Sequence, residues 1–155
     1  MTKSYHLFLL AMLLLLVAGC ASMEKDWYRV ELHQAVTEGN AERVKTLIDN
    51  GADVNMRFGD KGVLSPLTVA IIEDKYEVVK VLLENGANVN ELIVEGNTPI
   101  ILASTRGQKN IVKLLIDNGA DVNVKSQRGT TAISAASEKG YTDLVYMLKQ
   151  AGAKE

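Results

Sequence analysis

The feature that most constrains this chain is a pentapeptide that keeps returning. Gly-Ala-Asp-Val-Asn begins at Gly51, Gly-Ala-Asn-Val-Asn at Gly86, Gly-Ala-Asp-Val-Asn again at Gly119, and Gly-Ala-Lys at Gly152. The spacings are 35, 33 and 33 residues. A second landmark keeps the same register: Ser65-Pro66-Leu67, Thr98-Pro99-Ile100 and Thr131-Ala132-Ile133, followed in turn by Ala70, Ala103 and Ala136. Ala35 takes the matching place in an earlier unit. Self-similarity at a fixed period of about 20–50 residues marks stacked supersecondary units, none of which buries its apolar face without a neighbour.

Each unit reads as a short helix, a turn and a second helix. Thr98 is placed to cap a helix and Pro99 to take its first position, where the missing N–H costs nothing. That helix is expected to end near Gly107, with Gly39 and Gly140 in the same place, because glycine accepts the positive φ of a tight turn. Asp74 is the exception, and Asp tolerates that region better than most residues. The second helix carries apolar pairs at helical spacing: Val78, Val79, Val81 and Leu82 in one unit, Ile111, Val112, Leu114 and Leu115 in the next. Gly86 and Gly119 end these helices, and Asn90 and Asn123 lead into turns expected to project as hairpin fingers.

These landmarks resemble the ankyrin family, whose units open on Thr-Pro-Leu-His and run for about 33 residues. The resemblance covers residues 27–153 and implies an all-α repeat solenoid of four stacked units, at about 27–60, 61–93, 94–126 and 127–155. The family's histidine is not kept after the Thr-Pro-Leu landmark. Thr68, Ile101 and Ser134 stand there, and His33 is the only histidine in the array. That loss is expected to weaken local hydrogen bonding without threatening the fold. The terminal units carry polar residues at inner positions, as capping repeats should. Arg43 and Thr46 replace Val78 and Val81, and Lys149 replaces Leu83 and Ile116. Trp27 and Tyr28 are expected to cover the open N-terminal side of the core.

Residues 1–19 read as a secretory signal. Lys3 gives a positive start, Leu7 to Ala18 form an apolar run of twelve, and small residues follow. Twelve fall short of the roughly 20 that cross a bilayer as a helix. Val17-Ala18-Gly19-Cys20 resembles the bacterial lipobox, which implies that Cys20 becomes the acylated first residue of the mature chain, with residues 20–26 as anchor and tether and 27–155 as the repeat domain. Acyl chains contribute about 0.8 kcal/mol per buried methylene, so two or three hold stably. Ala21, rather than Asp, follows the cysteine, and lipoprotein sorting then implies the periplasmic face of the outer membrane.

Little supports catalysis. Cys20 is the only cysteine, so an internal disulfide or a multi-cysteine metal site is excluded. One histidine in the repeats supplies neither a zinc site nor a triad. The pentapeptide glycines end helices instead of opening them, which excludes a phosphate-cradling loop. A net charge of -2 and 5% aromatics argue against nucleic acid. No cofactor is expected, and the chain is expected to be monomeric until a partner binds.

What remains is surface. Ankyrin proteins bind partners through the concave side, formed by the fingers and the inner face of the short helices. Carried over by register, this implies Thr105, Arg106, Glu138 and Lys139 on the helices. The first finger, Met56 to Lys61, is two residues longer than the others and places Phe58 near its tip. The second reads Leu92-Ile93-Val94, with Ile93 where the family pattern places Asp. Exposed apolar residues in a row mark an interaction patch; the alternative is that the fingers pack on one another and hide them. Three functions stay open at this point. Some bacterial ankyrin lipoproteins of similar plan are immunity proteins against phospholipase effectors, which implies a toxin inhibitor. Others are thought to assist a periplasmic enzyme such as catalase, and an envelope scaffold is the third.

Overall fold

The computed structural model describes residues 25–59 and 64–154. They form the expected all-α repeat solenoid. Helix α1 occupies 25–38, followed by α2 (Ala41–Asp49), α3 (Pro66–Ile72), α4 (Tyr76–Glu84), α5 (Pro99–Thr105), α6 (Lys109–Asp117), α7 (Ala132–Glu138) and α8 (Thr142–Gln150). Within the units α3 packs on α4, α5 on α6 and α7 on α8. Between units α3, α5 and α7 stand side by side as an inner row, and α2, α4 and α6 as an outer one. One continuous core runs between the rows. Leu67, Ile71, Ile100 and Ile133 enter it from the inner helices, and Val78, Leu82, Ile111, Leu115 and Leu148 from the outer ones.

The helix starts follow the sequence with one departure. Pro66 and Pro99 open α3 and α5, and the Ser65 side chain accepts from the Thr68 N–H. Thr131 and Ser134 cap α7 reciprocally. Thr98 sits at the cap position of α5 but makes no side-chain cap bond, and its Oγ1 is buried with no partner among the described residues. In the two capped units the residue three places on is Thr68 or Ser134, each with a hydroxyl; here it is Ile101.

The turns between paired helices also tie the units together. Asp74 adopts φ 53°, close to the 71° of Gly107 at the equivalent place. Its carboxylate accepts from Gln108 Nε2 at 2.9 Å, and the same amide donates to the Ile71 carbonyl at 2.8 Å. Gly107 admits no side chain, because a Cβ there would stand 2.7 Å from the Tyr141 ring of the next unit.

The pentapeptide supplies a second tie. Asp53, Asn88 and Asp121 accept from the N–H of Asn55, Asn90 and Asn123, which fixes each asparagine. Asn55 then donates to the Gly86 carbonyl at 3.2 Å and accepts from the Asn88 N–H at 2.9 Å. Asn90 does the same with Gly119 and Asp121, and Asn123 with Gly152 and Lys154. The recurring asparagine is thus an inter-unit bridge as well as a turn residue.

At the N-terminal end Arg43 pairs with Glu31 and, at 3.4 Å, with Glu38. Tyr28 seals its side of the core, its hydroxyl donating to the Asn50 carbonyl. Trp27 does not share that role. It meets Tyr28 edge-on at 5.0 Å but stays 52% exposed.

Leu115 is fully buried at the centre of the third unit. Leu115→Ala should cost about 2–5 kcal/mol through the cavity it leaves. Denaturant unfolding measures this, and a loss below about 1 kcal/mol would remove Leu115 from the core.

Candidate functional site

The inner row and the fingers enclose a groove of about 500 Å³. Its apolar surface comes from Leu64, Ile72, Ile93, Val94 and Leu102. Ala135 stands in the unit after Leu102 at the same register, so the smaller side chain leaves room towards the fourth unit. Charge gathers at that end, where Arg128 pairs with Glu95 at 2.7 Å and Glu138 and Lys139 complete the lining.

The fingers are tight turns more than paired strands. In the first, the Phe58 N–H donates to the Leu64 carbonyl at 2.7 Å as an isolated antiparallel bridge. The second folds into a single 3-10 turn at Val94–Gly96, with Glu95 at φ 61°. The Ile93 N–H closes its base on the Asn97 carbonyl at 2.8 Å. The third finger donates from the Gln127 N–H to the Glu95 carbonyl at 3.0 Å, so second and third fingers are bonded to each other.

A buried carboxylate anchors the first two. Glu91 is only 4% exposed. It accepts from the Ser65 hydroxyl and, at 2.7 Å, from the Thr68 hydroxyl, and it pairs with Arg57 at 3.1 Å. A carboxylate taken out of water needs such partners to remain there. Thr68, standing where the family pattern has histidine, therefore joins the start of α3 to the base of the second finger.

Of the residues marked from the sequence, the groove brings together Ile93, Val94, Thr105, Glu138 and Lys139. Val94 is 56% exposed, Ile93 half-buried. Leu92 is 68% exposed but lies outside the lining. Arg106 also lies outside it: the guanidinium reaches back to the Ile72 carbonyl at 2.7 Å, closing the end of α3. Phe58 must be corrected. It is 3% exposed and its ring meets His33 edge-on at 4.9 Å, so it is a core anchor and no partner contact. Phe58 turns inward because an aromatic ring gains more from burial in the core than from exposure to water. Cys20 and residues 60–63, which include the end of the first finger, lie outside the described residues.

The sequence reading missed Leu64, Leu102 and Ala135 as groove residues and Glu91 as an anchor. Leu102 and Ala135 were accessible to it, since each precedes a marked residue, Thr105 or Glu138, by one helical turn. Glu91 was not, because its hydroxyl partners lie 23 and 26 residues away and Arg57 further still.

Among the described residues no group of His, Cys, Asp and Glu could hold a metal ion. No helix among them is long and apolar enough to cross a membrane. Against known families, a model described as ankyrin repeats (many copies) matches residues 67–116, and the single ankyrin repeat matches 30–57. These are modules of protein–protein interaction, and no enzymatic family is among the matches. A search of curated proteins returned no significant match.

Removing the Glu91 carboxylate leaves the Thr68 hydroxyl without its acceptor and Ser65 with only the longer bond to Thr68, at 3.2 Å. Glu91→Ala should lower stability by about 1–3 kcal/mol. It should also speed amide exchange at Phe58, whose finger loses the Arg57 pair. Unchanged exchange there would mean that Phe58 alone holds the finger.

Proposed function

Given that this chain is an ankyrin-repeat solenoid, we propose that it is a non-enzymatic, lipid-anchored binding protein that neutralises a secreted toxin of the phospholipase type at the periplasmic face of the outer membrane. The groove carries the reading. Its floor is apolar, its rim charged, and it opens beside a finger whose Val94 is 56% exposed where the family pattern is polar. An exposed apolar surface with a polar rim is what a specific protein interface requires. The lipobox around Cys20 supports the anchor, and resemblance in plan to ankyrin-type immunity lipoproteins supports the toxin.

Binding energy concentrates in a few desolvated anchors. Ile93 and Val94 are placed for that role, while Glu138, Lys139 and the Arg128–Glu95 pair act on association rate and on wrong partners.

Three experiments test this reading. Cys20→Ser should abolish processing before residue 20 and leave the chain without acyl mass; a variant still cleaved there and still membrane-bound would end the lipoprotein reading. Deletion of the protein should sensitise cells to a phospholipase effector encoded beside it, and the wild-type chain should restore protection. Ile93→Asp should weaken effector binding by about 1–2 kcal/mol with melting temperature unchanged. Unaltered sensitivity on deletion would refute the toxin as partner. Unaltered affinity of Ile93→Asp would move the interface off the second finger.

A further inference from the structure

We infer that the N-terminal end of the solenoid lies against the bilayer, with Trp27 and Val30 of α1 seated among lipid headgroups and the groove facing away. The inference rests on the lipid-anchor reading of Cys20.

Residues 25–30 of α1 have no counterpart in the later units, whose inner helices begin at Pro66, Pro99 and Ala132. Within this extension Trp27 is 52% and Val30 64% exposed. The two stand three residues apart, on the side of α1 turned away from the buried Leu32, Ala35 and Val36. A helix that only closed the core would place polar residues there. An indole with one polar edge is suited to the boundary between headgroups and acyl chains.

Chain length selects the occupant. Cys20 and Lys25 are five residues apart. Whatever their conformation, five residues span at most about 18 Å. Acylated Cys20 therefore keeps the start of α1 within that distance of the lipid. Among the described residues Leu92, Val94 and Tyr146 are as strongly exposed, but they belong to later units and gain no such proximity. On another face of α1 a cleft of about 520 Å³ opens towards the first finger, lined by Lys25, Tyr28, Arg29, Asp53 and Arg57. Asp26 pairs with Arg29 at 3.5 Å and Glu91 with Arg57 at 3.1 Å. With Asp26, Asp53 and Glu91 balancing these three cations, apolar insertion alone sets the orientation.

Trp27 is the single tryptophan of the chain, so its emission reports this surface alone. The full acylated protein would be reconstituted in vesicles of phosphatidylethanolamine with a minor share of phosphatidylglycerol. Trp27 emission should lie at shorter wavelength than that of a Trp27→Phe, Leu92→Trp variant in the same vesicles and lose intensity when brominated lipid is included. That variant should keep water-exposed, unquenched emission. Mass analysis of the N-terminal peptide reads acylation independently. An unacylated chain defeats the anchor and this inference with it. An acylated chain whose Trp27 stays water-exposed and unquenched defeats the orientation alone.

Discussion

No helix pair in this protein can cover its own apolar faces, so everything depends on holding each pair at a fixed distance from the next. Two interactions divide that task. Burial supplies the energy: Leu82, Leu115 and Leu148 are fully enclosed between neighbours, and enclosing such a side chain contributes about 1.5–3 kcal/mol. The asparagine bridge supplies the register. Asn55, Asn90 and Asn123 each take one carbonyl that a helix end leaves unpaired and one N–H two residues on. Such bonds contribute about 0.5–1.5 kcal/mol each, and less where water competes. They are too weak to drive stacking, but they are directional where apolar contact is not. A slip of one helix turn would break both bonds of every bridge at once.

Fixed spacing between units decides what the fingers can do. The second and third fingers are bonded to each other through the Gln127 N–H and the Glu95 carbonyl, and the bridges below hold their bases apart. The groove is therefore preformed by the same contacts that build the solenoid. The three units that lack the family's histidine meet the loss differently. Thr68 turns to Glu91, Ser134 closes a reciprocal cap with Thr131, and Ile101 leaves the Thr98 hydroxyl buried and unpartnered. A buried hydroxyl without a partner costs about 1–3 kcal/mol. The unit that bears this cost is the third, packed on both sides, where burial of Ile100, Ile111 and Leu115 offsets it.

How much of this the sequence discloses depends on the range of each interaction. Periodicity places the helices, the positive-φ turns and the central core, because those depend on neighbours three or four residues away and on the repeat itself. Asp74 was legible as a turn residue by register, though its bond to Gln108 was not. Phe58 read as a fingertip because an extra two residues in a loop usually project. Only the fold reveals that His33, 25 residues earlier, receives its ring. Arg106 had the right register for the groove, but a long side chain reaches several ångströms from its helix position, and here it reaches the preceding unit. Trp27 and Tyr28 both read as caps because aromatic residues at the start of an array usually cover it; of the two, only Tyr28 does so.

The balance of charge and apolar surface in the groove sets how it would bind. Arg128 and Glu95 are 74% and 43% exposed, and an ion pair so well hydrated contributes about 0–1 kcal/mol. Glu138 and Lys139 are equally wet. A partner that only exchanged these contacts for its own would gain little net free energy. Covering Val94, Ile93 and Leu102 is different, because each Å² of apolar surface removed from water contributes about 25 cal/mol and has no competing partner in the free state. The charges then act before contact, through a field that falls off over about 8 Å at physiological salt. Affinity through this groove would accordingly rest on Ile93, Val94 and Leu102, and its salt dependence on Arg128, Glu95, Glu138 and Lys139.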